Sequence, residues 1–227
     1  MWKKVFGYYT LFLGTLLIVT CGCKKDDPPL DPVTDIEENT YKTVKIGSQV
    51  WMAENLKTTR LNDGTDIPLT TDALAWSNLT TPGYCWYAND AASFKDIYGT
   101  IYNGYAAGTG KLCPAGWHIP DKQEWQVLRE FLGDSVKGGG KLKEAGTAHW
   151  LAPNKGADNS SGFTALPAGL RYFEGTFASI LSYACFWSDT ETDNGDEWYL
   201  ALYFAEASFI MDHRNKKHGF SVRCIKD

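Results

Sequence analysis

The 227-residue sequence holds only 3 methionines and no Cys-x-x-Cys pair. It also lacks an apolar run of the roughly 20 residues that a membrane-spanning helix needs. Neither a zinc ribbon nor a thioredoxin-type site is therefore indicated. Positive charge is scarce: 22 Lys and Arg face 27 Asp and Glu, a net charge of −5. No basic face compensates, which argues against a nucleic-acid partner. Nucleophile-elbow, metalloprotease and dinucleotide motifs are missing. Gly138-Gly139-Gly140 is followed by Lys141 and Leu142, where a phosphate cradle needs Ser or Thr after the lysine, so these glycines read as a flexible turn. What the chain has in quantity is aromatic residues, 9 Trp, 12 Tyr and 11 Phe, together with 22 Gly. That composition describes a loop-rich domain filled with rings.

The N-terminus points to export. Lys3 and Lys4 precede an apolar run from Tyr8 to Val19 that ends in Thr20-Cys21-Gly22-Cys23. The run is too short to span a bilayer but suits the core of a secretory signal. A cysteine directly after it resembles the lipobox of bacterial lipoproteins. Cys21 has the aliphatic Ile18 three residues before it but Thr20 beside it, whereas Cys23 has the small Gly22 beside it but Thr20 in the third position. Cys23 followed by Lys24-Lys25-Asp26-Asp27 resembles the start of Bacteroidetes lipoproteins, which favours Cys23 and implies a lipid anchor in the outer membrane with surface exposure. Residues 1–22 then form the signal, 23–40 an acidic tether containing Pro28, Pro29 and Pro32, and 41–227 one domain.

Within that domain, Thr43–Ile46 and Gln49–Met52 around Gly47-Ser48 predict a hairpin. Short helical stretches fit 72–78 and 91–98. The clearest helix follows Asp121: Glu124 completes a capping box, Trp125, Leu128, Phe131 and Leu132 fall at helical spacing, and Gly133 stops it. Alternation from Trp198 to Phe204 predicts a strand, with further strands at 209–211 and 220–225 and a polar turn over 212–218. The order predicts an irregular single α+β domain with a short antiparallel sheet and one main helix. Beyond Cys21 and Cys23, the four cysteines Cys85, Cys113, Cys185 and Cys224 form an even set in an oxidising compartment, compatible with three pairings; Cys85 and Cys185 are equally compatible with buried free thiols.

Several segments carry a family resemblance. Tyr84-Cys85-Trp86-Tyr87-Ala88-Asn89-Asp90, Lys111-Leu112-Cys113-Pro114-Ala115-Gly116-Trp117-His118-Ile119-Pro120, Gly162-Phe163-Thr164-Ala165-Leu166-Pro167-Ala168-Gly169 and Ser221-Val222-Arg223-Cys224 resemble, in order, the landmarks of the Fibrobacter succinogenes major paralogous domain. That family is a surface or secreted module whose molecular function is not established. More distantly, Trp117–Trp125 and Gly219–Cys224 resemble segments of formylglycine-generating, sulfatase-modifying enzymes. This likeness implies a C-type-lectin-like fold, and it places Cys224 on the structural cysteine of the terminal strand, favouring a bond to Cys113. Those enzymes need two reactive cysteines shortly before that strand, and 186–222 contains none, so their activity is not supported.

Asp189, Glu191, Asp193, Asp196 and Glu197 crowd one loop, a pattern that offers oxygen ligands to calcium, although Leu200 stands where an EF-hand needs a bidentate Glu. A solvated acidic loop is the plainer reading. His213 and His218 lie among Arg214, Lys216 and Lys217, a poor setting for a metal cation. His118 reads as a hydrogen-bonded core or rim residue. Two functions follow as expectations: a non-catalytic binding or adhesion module for a glycan or surface protein, or an enzyme, either formylglycine-generating-like or a hydrolase with dispersed carboxylates.

Overall fold

A computed structural model of the protein describes residues 1–4, 30–133 and 136–227. The signal-like run and both lipidation candidates, Cys21 and Cys23, lie outside these residues. Order begins before Tyr41. Strands β1 (Val33–Thr34) and β2 (Thr40–Tyr41) pair antiparallel. Asp35 between them is buried and accepts hydrogen bonds from the Glu37 and Asn39 backbone N–H groups and, at 2.6 Å, from the Tyr41 hydroxyl. The tether reading of 23–40 is thus corrected for 33–40. A buried carboxylate met by several donors fixes a folded corner, which acidic composition alone does not announce.

Strands β3 (Thr43–Ile46) and β4 (Gln49–Met52) form the expected hairpin, with Ile46 opposite Gln49. Gly47 in the turn has φ +64°, and a Cβ there would meet the Phe131 ring at 2.9 Å, so conformation and space both require glycine. The aromatic middle follows: α1 (Ala73–Ser77) capped by Asp72, β5 (Tyr84–Cys85), α2 (Ala91–Tyr98) capped by Asp90, β6 (Ile101–Asn103) and α3 (Gly104–Ala107). Strand β7 (Trp117–His118) leads into the main helix, α4 (Lys122–Leu132). Its capping box is complete, and Gly133 ends it in the left-handed conformation. Trp125, Leu128 and Leu132 face inward, whereas Phe131 is exposed and lies over Gly47.

Where a flexible turn is expected at Gly138, the chain forms α5 (Gly138–Leu142), with all three glycines buried. A Cβ on Gly139 would lie 2.0 Å from the Ser208 carbonyl oxygen, and one on Gly140 2.2 Å from that of Gly156. These glycines serve close backbone contact, and the segments they touch are distant in sequence.

The remaining strands are β8 (Ala168–Arg171), β9 (Phe177–Ile180), β10 (Tyr183–Glu191), β11 (Asp196–Tyr203), β12 (Ile210–Asn215), β13 (Gly219–Phe220) and β14 (Ile225–Lys226). The larger sheet has the order β12-β11-β10-β8-β13-β6-β5 with β9 on β8, and a second sheet has the order β3-β4-β14-β7. Strand β8 joins β10 in parallel. The architecture is α+β, with more sheet than the short one expected. The polar turn expected over 212–218 is corrected: β12 extends through Asn215 as an edge strand, where His213 and Arg214 sit comfortably beside water. The single strand expected at 220–225 is two, one in each sheet. Between them the main chain crosses from sheet to sheet: Ser221 bridges β10 at Phe186, and the Val222 and Cys224 carbonyls accept from the N–H groups of Leu56 and of Met52 at the end of β4.

Strands β10 and β11 form a partition between two cores. Cys185, Trp187, Tyr199 and Ala201 pack with Tyr102, Phe220 and Cys224 on one side. Ala184, Phe186, Leu200 and Leu202 pack with Trp51, Trp125 and Phe163 on the other. Burial on both faces explains why these strands read as nearly continuous apolar runs.

Cys113 and Cys224 form a disulfide across a sequence separation of 111 residues, worth on the order of 4 to 5 kcal/mol in the chain-entropy model. Cys85 and Cys185 are free and buried. In the sheet order β8, β13 and β6 stand between their strands β10 and β5, and even by the direct bridge from Phe186 to Ser221 two strands intervene, which at about 4.8 Å per strand puts the pair beyond the roughly 7 Å that a disulfide tolerates.

Candidate functional site

The site begins with a hairpin turn held in place by a buried arginine. Strands β8 and β9 are joined by a turn in which the Tyr172 N–H donates to the Thr176 carbonyl. Arg171 just before it is fully buried. Its Nε donates to the Gly175 carbonyl at 2.9 Å, and its two terminal nitrogens donate to those of Thr70 and Thr71 at 2.6 and 2.8 Å. The guanidinium also lies 4.4 Å from the centre of the Trp76 ring. The turn is thereby fixed to the segment before α1, and the next two side chains, Tyr172 and Phe173, project to the surface with 39% and 52% exposure.

Beneath them lies a cleft in two compartments. The inner one, about 220 Å³, is floored by Tyr183, Cys185, Tyr199 and Phe220. The outer one, about 460 Å³, is bordered by Phe173, Asp196, His213 and Lys217. Arg214 and His218 line both. Tyr183 stacks on Tyr203 with ring centres 4.5 Å apart, and the His218 ring packs against Phe173 and Phe220 at 5.6 and 5.9 Å.

The protonation of this cleft follows from burial. Burial raises the hydroxyl pKa of Tyr199 and Tyr183 and pushes the Cys185 thiol up to about 12, so the floor is uncharged at neutral pH. Burial lowers the pKa of His218, leaving it neutral. Its Nδ1 lies 3.1 Å from the Asn215 carbonyl and so carries the proton; Nε2 is left as an acceptor. Arg214 donates through one terminal nitrogen to Asp212 and to the His213 carbonyl. Its other donors have no protein partner among the described residues. The cleft thus offers ring faces, an acceptor and a fork of donors.

The acidic loop does not converge on a cation site. Asp189 and Glu191 lie on β10, Asp193 in the following turn and Asp196 at the start of β11. Lys216 places its ammonium 2.6 Å from Glu191 and 3.5 Å from the buried Glu197, where a metal would have to stand. Asp196 bonds His213 at 3.0 Å. Among the described residues no three His, Cys, Asp or Glu side chains are placed to hold a metal ion. His118 is a rim residue, bonded through Nδ1 to Asp227 at 2.6 Å and through Nε2 to Glu124 at 2.9 Å. Burial opposes its charge, but these two carboxylates prevail and hold its pKa above the ordinary histidine value.

Sequence reasoning missed Tyr172, Phe173 and Arg214 as a group. A usable signal was present in β11, where Tyr199 and Tyr203 alternate with Trp198, Leu200 and Leu202, so that both faces are rich in rings or aliphatics. A strand of that kind separates two packed layers, and one of these layers opens as the cleft.

A model of the Fibrobacter succinogenes major domain matches residues 44–226. Neither a curated protein nor a solved structure matches the chain.

Proposed function

The chain belongs to the Fibrobacter succinogenes major domain family, and on that premise we propose that it is a non-catalytic glycan-binding module with a C-type-lectin-like fold. A lipid on Cys23, or alternatively Cys21, holds it to the outer membrane and presents it at the cell surface. The observation that carries the reading is the pair Tyr172 and Phe173, exposed above an aromatic floor. Exposed rings that border a concave site suit the apolar faces of sugars, while the Arg214 donors and the His218 acceptor suit their hydroxyls.

Binding is favoured over turnover by two features. Among the described residues Asp196 is the one carboxylate lining the cleft and is already bonded to His213, whereas glycoside hydrolysis uses two facing carboxyl groups. Cys185, with its thiol pKa near 12, is unsuited to nucleophilic or formylglycine-generating chemistry at neutral pH.

The test is a glycan array probed with the full chain in detergent, with and without a calcium chelator. Retention without turnover, unchanged by the chelator and reduced about tenfold by Tyr172→Ala, is the expected result. Absence of binding to any glycan, alongside capture of a surface protein that Tyr172→Ala abolishes, would replace the glycan with a protein ligand. Globomycin sensitivity abolished by Cys23→Ser and kept in Cys21→Ser is the result expected for the anchor.

A further inference from the structure

A second cleft, on the opposite side of β11, has a different chemistry. It is about 650 Å³, within the range of small-ligand sites, and lies between α4 and the β11–β12 pair. One wall is a stripe along α4, Lys122, Gln123, Gln126 and Arg129; the other includes Trp198 and Met211. The Lys122 ammonium lies 3.4 Å from the centre of the Trp198 ring. A lysine over the ring obstructs flat stacking of a neutral sugar, so Trp198 does not repeat the role of Tyr172.

The charges of this stripe are uncommitted. Several other surface cations of this acidic protein are paired: Arg60 with Asp66, Lys111 with Asp63, Lys216 with Glu191. Among the described residues neither Lys122 nor Arg129 has a carboxylate partner. Arg129 donates to the Gln126 side chain, and Lys122 has the Trp198 ring. The one acid in the lining, Asp121, accepts the Glu124 N–H at 2.7 Å as the cap of α4. Lys122 and Arg129 are two turns apart on one helix face, about 10 Å along the axis, close to the length of two linked sugar rings. The amide of Gln123 lies in the same stripe as a neutral donor and acceptor for the hydroxyls in between, while that of Gln126 accepts from Arg129 and donates to Glu130, holding the guanidinium in place.

We propose that this cleft is a second binding site, selective for an acidic oligosaccharide whose carboxylate or sulfate groups pair with Lys122 and Arg129 and whose ring edges rest on Trp198 and Met211. It does not depend on the aromatic cleft, and the two fail separately.

The experiment is calorimetric titration of the full chain in detergent with a uronate-bearing oligosaccharide, a sulfated one, the carboxyl-reduced form of the first, and polyglutamate. An acidic oligosaccharide is expected to bind at least about tenfold tighter than the reduced form, and to weaken in high salt. Lys122→Gln with Arg129→Gln is expected to remove that preference, while Tyr172→Ala leaves it intact. Which of the two acidic sugars binds tighter identifies the anionic group. Equal binding of the reduced form, a preference that survives the double substitution, polyglutamate binding as tightly as the sugars, or absence of binding would each overturn the proposal. Loss of the preference in Tyr172→Ala would overturn the separate site and assign acidic sugars to the aromatic cleft. Both substituted residues lie on the cleft-facing side of a capped helix, and an unchanged thermal melt is the control that the fold is retained.

Discussion

Arg223 and Arg171 in the interior and Arg129 and Lys122 at the surface carry the same charge under opposite demands. Arg223 is fully buried and donates to the Asn55 side chain and to the carbonyls of Met52, Phe163 and Thr164, with its plane 4.5 Å from the Phe163 ring. Lys143, also fully buried, donates to the carbonyls of Lys155, Tyr203 and Glu206. Among the described residues none of these interior cations has a carboxylate partner. Each answers main-chain oxygens at strand ends and in irregular segments, such as Met52 at the end of β4, Tyr203 at the end of β11, and Thr70, Thr71, Phe163 and Thr164 in loops. The surface cations leave donors unused and face clefts. A loop-rich domain therefore uses buried cations as cross-braces, and exposed donors mark where an outside partner can bind.

The strongest attempt to break this contrast is Arg223→Met. It strands several buried acceptors at once, and a loss on the order of 4 kcal/mol in urea unfolding is expected, enough to unfold a marginal domain. A loss below about 1 kcal/mol would show that the brace is dispensable.

Glu197 sharpens the contrast from the acidic side. Burial raises its pKa to about 7 in spite of Lys216 nearby. The folded chain then keeps a proton that the unfolded chain, titrating near 4.3, has released, so stability falls as pH rises through that interval. Glu197→Gln is expected to stabilise the protein by about 1 kcal/mol at pH 8 and to leave it unchanged below pH 4. Denaturation curves at the two pH values decide it.

The smallest effect belongs to the surface. Lys122→Gln with Arg129→Gln is expected to shift stability by less than about 1 kcal/mol in the same urea assay, because the lost contacts, to the Trp198 ring and the Gln126 side chain, are few and exposed to water. A loss comparable to that of Arg223→Met would erase the distinction.

How much of this was legible depends on distance along the chain. The β3–β4 hairpin and the ends of α4 are written in neighbours, Gly47-Ser48 in one case and Asp121, Glu124 and Gly133 in the other, so they are found where expected. The family was legible because its landmarks are short contiguous strings. The helical glycines at 138–140 were not, because their reason lies at Gly156 and Ser208. The pairing of Cys113 with Cys224 came only through the distant likeness, since four cysteines permit three arrangements and strand order alone separates Cys85 from Cys185. The cleft was hidden for a similar reason: Tyr172 and Phe173 look like ordinary loop rings until Arg171 is seen holding their turn against Thr70 and Thr71.

The position of β14 has a consequence in time. Ile225 pairs with Trp51 on one side and His118 on the other, so the four-stranded sheet is completed by residues made long after its other strands. Until they arrive, β4 and β7 keep bare edges and Cys113 has no partner. The second sheet and its covalent lock can close only once Cys224 and Ile225 exist, so the hairpin waits through the synthesis of the whole larger sheet, and β7 and Cys113 through that of most of it.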